Sequence, residues 1–138
     1  MKQEFVPRCT SKTINKILSD ELKLLLYSFI DQLVANDLEM DWAQIFELKS
    51  KAINEKYVLH ITHRQEHPFR CQEYEVESNY PHFNLTVWIL DFGDYSLMLL
   101  PEDIPHISFD PFDEDQYFDD LYFDDLFKYE PNNFRPDN

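Results

Sequence analysis

The chain has 138 residues, with 27 Asp and Glu against 12 Lys and Arg, a net charge of −15 and one glycine. That length supports a single core with an appendage, and the charge opposes direct binding of DNA or RNA, whose affinity rests on phosphate neutralisation. Gly93 alone cannot build a P-loop or a dinucleotide-binding turn, each of which needs several glycines, and no apolar run reaches the roughly 18 residues that span a bilayer.

From the N-terminus, MKQEFVPRCTSK lacks the apolar h-region of a secretory leader, so a cytoplasmic location in a bacterial cell is expected. Cys9 and Cys71 stand in no metal-ligand spacing and read as free thiols. Phe5-Val6 is expected to begin a short strand, followed by a polar connection through Lys16. Ser19 then offers an N-cap, with Asp20 and Glu21 at the positive end of the helix dipole. Leu22, Leu25, Leu26, Phe29, Ile30, Leu33 and Val34 recur at helical spacing, which predicts an amphipathic helix to about Asn36.

Beyond the turn at Ala35-Asn36-Asp37 the pattern changes to strands. Trp42–Leu48 alternates Trp42, Gln44, Phe46 and Leu48 against Ala43, Ile45 and Glu47, which places Trp42, Phe46 and Trp88 in the core or on a sheet face. Tyr57–Thr62 and Phe69–Val76 flank a polar corner, Arg64-Gln65-Glu66-His67-Pro68. Phe83–Phe92 and Tyr95–Leu100 read as a hairpin turning at Gly93-Asp94. The expected fold class is α+β: one main amphipathic helix packed on an antiparallel sheet of four to five strands. The expected domains are a compact unit at 1–104 and an acidic aromatic C-terminal tail at 105–138.

Pro101, Pro105 and Pro111 introduce that tail. Residues 101–138 hold 12 acidic residues against Lys128 and Arg135, a charge of 2 − 12 = −10, and nine aromatics. Solvating tails are acidic but poor in aromatics. Within this one, Tyr117-Phe118-Asp119-Asp120-Leu121 is repeated as Tyr122-Phe123-Asp124-Asp125-Leu126. A five-residue period matches neither helix nor strand, so both a disordered segment that orders on binding and a short helix on the core stay open.

The ordered blocks ELKLLLYSFIDQL, EMDWAQIFELK, HRQEHPF and WILDFGDYSLMLLPEDI resemble a small uncharacterised family of Firmicutes and staphylococci, their phages and mobile elements, the domain-of-unknown-function family nine-sixty, over about residues 20–103. Asp41-Trp42 and His63-Arg64-Gln65-Glu66 with Pro68 carry its pattern. The resemblance implies a mobile-element or phage setting and supplies no activity.

His60, His63, Glu66 and His67 suggest a metal cluster, but His60 and His63 point to opposite faces of a strand, which opposes joint ligation. Asp91-Phe92-Gly93 is explained by a hairpin turn. No nucleophile elbow or paired base accompanies any Ser, Thr or Cys, so no enzyme, cofactor or metal is expected.

The tail is the expected binding element, through Asp113, Glu114, Asp115, Tyr117, Phe118, Asp119, Asp120, Tyr122, Phe123, Asp124, Asp125, Leu126 and Phe127. Carboxylates at intervals imitate phosphates, and rings fill pockets on a target. The leading expectation is a non-catalytic acidic inhibitor, a DNA mimic that blocks the basic groove of a host DNA-handling or defence protein such as a CRISPR effector, restriction or repair enzyme. The alternative is an adaptor whose Asp125-Leu126-Phe127 docks on replication machinery such as the sliding clamp. A third reading makes the tail an intramolecular strap over the sheet.

Overall fold

The computed structural model describes residues 4–78 and 83–106 and the two-residue strand Leu121–Tyr122. In chain order the elements are β1 (Arg8–Ser11), α1 (Lys12–Ile17), α2 (Asp20–Ala35), β2 (Ala43–Ile53), β3 (Lys56–Glu66), β4 (Phe69–Ser78), β5 (Asn84–Asp91), β6 (Ser96–Leu99), a 3-10 helix (Pro101–His106) and β7 (Leu121–Tyr122). The strands form one seven-stranded sheet in the order β4-β3-β2-β5-β6-β1-β7.

This corrects the expected fold class. The molecule is sheet-dominated rather than one helix on four to five antiparallel strands, and the sheet is mixed because β1 runs parallel to β6, with Arg8 opposite Ser96 and Thr10 opposite Met98. β1 was expected to be a polar connection, since Arg8-Cys9-Thr10-Ser11 has no apolar alternation, yet all four residues are buried. They are buried because Arg8 lies against Tyr27 and Asp31 of α2, Cys9 joins the cluster of Leu90, Leu97 and Leu99, and Ser11 bonds Asp103 of the 3-10 helix. Strands buried on both faces lose the alternation that marks a half-exposed strand.

α2 forms where the helical spacing places it. The Ser19 hydroxyl accepts from the Leu22 amide at 3.2 Å. At the other end, the Leu38 amide donates to Leu33 and the Asp37 amide to Val34, with Asp37 at φ 58°. That is the Schellman closure with Asp in the left-handed position usually held by glycine. The buried stripe Leu22, Leu26, Tyr27, Phe29, Ile30 and Leu33 lies on Phe46, Leu48, Leu59, Ile61, Val87, Ile89 and Met98. Phe29 stacks on Tyr74 at 4.1 Å and lies 6.4 Å from Phe46. Burial of each such side chain contributes roughly 1.5–3 kcal/mol.

β2, β3 and β4 are joined by tight turns, as are β5 and β6, and β5 lies beside β2 rather than β4. Ile53 pairs with Lys56 across Asn54-Glu55, both at positive φ (51° and 67°), the geometry that matches the twist of the flanking strands. Glu66 pairs with Phe69 across His67-Pro68, so Arg64 and Gln65 belong to a strand and not to the expected corner. β5 and β6 form the expected hairpin: Asp91 pairs with Ser96, and the Asp91 carboxylate accepts from the Gly93 amide at 2.9 Å, where φ is +92°.

Away from α2, the second face of the sheet divides in two. Near β6 and β1 it carries the buried cluster Cys9, Leu90, Leu97 and Leu99, flanked by Ala43, Trp88 and Tyr95. Near β3 and β4 it carries Glu47, Lys49, His60, Arg64, Glu73, Glu75 and Glu77.

Candidate functional site

Of the thirteen tail residues expected to bind a partner, Tyr122 lies in β7, opposite Thr10, while Leu121 stands opposite Ser11. Asp113, Glu114, Asp115, Tyr117, Phe118, Asp119, Asp120, Phe123, Asp124, Asp125, Leu126 and Phe127 lie outside the described residues. Among the described residues, Leu121–Tyr122 meets the core by antiparallel backbone pairing with the N-terminal strand.

The HRQE block builds scaffold. Three β-strand positions and one loop converge on the helix-covered side. Neutral His63 donates from Nε2 to Gln44 Oε1 at 2.6 Å and stacks on Phe46 at 4.2 Å. Gln44 Nε2 donates to Gln65 Oε1 and to the Asp41 carbonyl, both at 2.9 Å. Gln65 Nε2 donates to the carbonyls of Glu39 (3.0 Å) and Pro68 (2.8 Å). The Asp41 carboxylate accepts from the amides of His67 (3.0 Å) and Glu66 (3.3 Å). The amide groups of Gln44 and Gln65 and the Asp41 carboxylate are thus occupied in locking the entry to β2 against the β3–β4 turn. Burial, helped by nearby Arg70, holds the His63 imidazole down at about 4. It is neutral at physiological pH and has no free path to solvent as a base.

On the other face, Arg64 Nη1 pairs with Glu47 at 2.5 Å. His60 lies 3.2 Å from Glu73 and 3.5 Å from Glu75. His60 and His63 stand on opposite faces, and among the described residues no three of His, Cys, Asp and Glu converge as metal ligands.

A second polar group surrounds β1. The Arg8 guanidinium lies 4.1 Å over the Tyr27 ring, bonds the Asp31 carboxylate and donates from Nε to the Phe5 carbonyl at 2.9 Å. Tyr27 donates to Ser96 Oγ at 2.8 Å, and Ser96 Oγ to the Phe5 carbonyl at 2.9 Å. Burial pushes the Tyr27 phenol well above its usual range and the Cys9 thiol up to about 12. Neither is a nucleophile at neutral pH. Cys9 and Cys71 are unpaired, the first buried and the second exposed.

Three surface features remain. The first is an aromatic patch. Trp42, expected in the core or on a sheet face, is 49% exposed just before β2, and its ring lies 6.1 Å from Phe92, itself 5.2 Å from Tyr95. Phe46 is fully buried and Trp88 flanks the second-face cluster. The second feature is the outer edge of β4, at the end of the sheet order. The third is a groove of about 320 Å³ beside it, lined by Ser19, Glu21, Leu22, Leu25, Leu59, Val76, Glu77 and Ser78. Composition pointed to the tail; the edge was missed because sequence does not say which strand ends a sheet.

The family described as a staphylococcal protein of unknown function (DUF960) matches residues 7–103. A crystal structure of a protein of unknown function from Enterococcus faecalis is similar at 19% identity and a TM-score of 0.54, covering 75% of this chain and 97% of that one. That likeness concerns the fold alone. No curated protein matches the chain. No helix among the described residues is long and apolar enough to cross a membrane.

Proposed function

As a member of the staphylococcal family DUF960, to which the chain belongs, this protein inherits a fold with no stated activity, and we propose that it is a non-catalytic acidic inhibitor that occupies the basic nucleic-acid groove of a host DNA-handling or defence protein. The observation that carries the reading is the charge: −15 overall, with 2 − 12 = −10 in residues 101–138. The described core supports it by what it commits inward. The imidazole of His63, the phenol of Tyr27 and the thiol of Cys9 are buried and held in their uncharged forms. The carboxylates of Glu73 and Glu75, by contrast, stand more than half exposed. Electrostatic steering of a basic partner raises association rates and is screened by salt.

The test is displacement of duplex DNA from nucleic-acid-binding proteins of the host, at low and high salt. The full chain should displace DNA at low salt and lose most of that effect at high salt. Replacing Asp119, Asp120, Asp124 and Asp125 by Asn should weaken it. Failure of the unaltered chain to displace any such protein at low salt sinks the reading.

A second reading has one observation behind it. Backbone pairing of Leu121–Tyr122 with Thr10–Ser11 supports the tail as an intramolecular strap. Resistance of residues 109–130 to protease in the isolated protein favours it, and rapid cleavage there removes it.

A further inference from the structure

The two ends of the sheet are unequal. Among the described residues, β7 closes one end of the sheet with two residues, whereas β4 (Phe69–Ser78) ends the other with no strand beyond it. On its inner side β4 pairs with β3 without a bulge, from Phe69 opposite Glu66 to Ser78 opposite Tyr57. No described strand pairs with its outer side, so that side presents a row of backbone donors and acceptors. Natural edges of this length are blunted by proline, bulges, charged side chains or a covering loop. Phe69–Ser78 has no proline and no lysine, and its charges are Arg70 and the acidic row Glu73, Glu75 and Glu77.

Side chains set the chemistry of what fits there. On the second face Glu73, Glu75 and Glu77 stand at alternate positions, about 6.8 Å apart along an antiparallel strand. On the helix-covered face Tyr74 and Val76 lie against the core, in line with Arg70, Gln72 and Ser78. Beside Val76 opens the groove of about 320 Å³ floored by Leu22, Leu25 and Leu59. A second copy of this chain is disfavoured. Of the antiparallel self-pairings that keep both helices on one side, the two that overlap β4 most fully, centred on Glu73 and on Tyr74, each set Glu73 directly against a glutamate of the other copy, which destabilises a ladder.

We propose that the outer edge of β4 is a strand-addition site for an extended segment of another protein in which basic and apolar residues alternate. The main chain of that segment continues the ladder. Its Lys or Arg side chains meet Glu73, Glu75 and Glu77, and its apolar side chains enter the groove beside α2. Strand addition of this kind draws affinity from the main chain and specificity from alternate side chains. The assignment concerns the core and stands apart from the tail reading above.

The test uses the full chain and synthetic peptides as long as β4. One alternates Lys and Val, one has the same composition in two blocks, and one alternates Glu and Val. Binding is read by fluorescence anisotropy and by amide hydrogen exchange. The alternating Lys–Val peptide should bind at least about tenfold more tightly than its block isomer, because only alternation satisfies both faces at once. It should also slow exchange of alternate β4 amides. E73K/E75K/E77K should reverse the preference toward the Glu–Val peptide; if that variant fails to fold, the three peptides on the unaltered chain still decide. The chain with Asp119, Asp120, Asp124 and Asp125 replaced by Asn should bind the Lys–Val peptide as the unaltered chain does, whatever becomes of DNA displacement. Equal affinity for the two Lys–Val isomers reduces the interaction to diffuse charge and overturns the proposal. So does protection confined to amides outside β4, loss of peptide binding in the Asp→Asn chain, or no saturable binding.

Discussion

At the β1 end of the sheet, polar side chains are buried and completed from inside the molecule; at the β4 end, they stand outward with few internal partners. Arg8 finds Asp31, Tyr27 and a carbonyl. Ser11 caps α1 through the Ile14 amide and donates to Asp103 at 2.8 Å. Cys9 donates weakly to the Ser96 carbonyl. On β4 the corresponding row is Glu73, Glu75 and Glu77, two of which share His60. The same polarity in sequence thus has opposite meanings, set by the number of neighbouring strands. A polar strand between two neighbours is structural. A polar strand with one neighbour is available to something else.

The comparison breaks most visibly at Arg8. Arg8→Ala should cost about 3 kcal/mol in chemical denaturation, because it leaves the Phe5 carbonyl and the Tyr27 face without their buried partner. A loss below 1 kcal/mol would show that the β1 end tolerates unpaired polarity as the β4 end does.

The next effect is one of pH. His63 is held at about 4 in the folded chain against 6.5 for the free side chain. The unfolded chain therefore binds the extra proton first. The stability that neutral His63 provides is complete above about 6.5 and is lost as pH falls from there to about 4, by up to about 3 kcal/mol. His63→Gln should flatten the stability profile in that window relative to the parent chain. Parallel profiles would remove His63 as the acid-sensitive group.

The smallest effect sharpens the contrast between an internal turn and the open edge. Glu55 sits at φ 67° in a two-residue turn where glycine is favoured. Glu55→Gly should raise stability by about 0.5–1 kcal/mol, seen as a higher denaturation midpoint. Destabilisation would mean that the Glu55 side chain contributes more than its backbone costs.

What the sequence disclosed follows the same line. α2 was legible because Ser19, its acidic first turn and seven apolar residues at helical spacing all agree. β4 to β6 and the first part of β3 were legible as strand-forming runs between turn residues, whereas Arg64 and Gln65, at the end of β3, were read as a corner. The second half of β2 was not, because Lys49, Ser50, Lys51 and Ala52 lack an apolar rhythm and are held by register with Leu59, Val58 and Tyr57. β1 was illegible for the converse reason, with its polar residues completed by Asp31, Ser96 and Asp103, far away in sequence. Trp42 misled because its alternation with Gln44 and Phe46 suits a buried position, yet it precedes the first residue of β2 and lies against exposed Phe92. Of the candidate binding surfaces, the tail was visible in composition and the β4 edge only in topology.

The parallel seat of β1 has a consequence for the order of assembly. Arg8 faces Ser96, a separation of 96 − 8 = 88 residues, whereas β2–β3, β3–β4 and β5–β6 are joined by short turns and β2 pairs with β5 over at most 90 − 43 = 47 residues. Contacts this far apart in sequence are slow to form, and loop closure precedes their reward. On a translating ribosome the first strand emerges with its arginine, thiol and hydroxyls unmatched, and it waits until nearly a hundred residues have followed. The hairpins and α2 find their partners close by in the chain, whereas the N-terminal strand has neither of its neighbours until β6 and then β7 have been made. The oldest part of the nascent chain thus depends on some of the youngest.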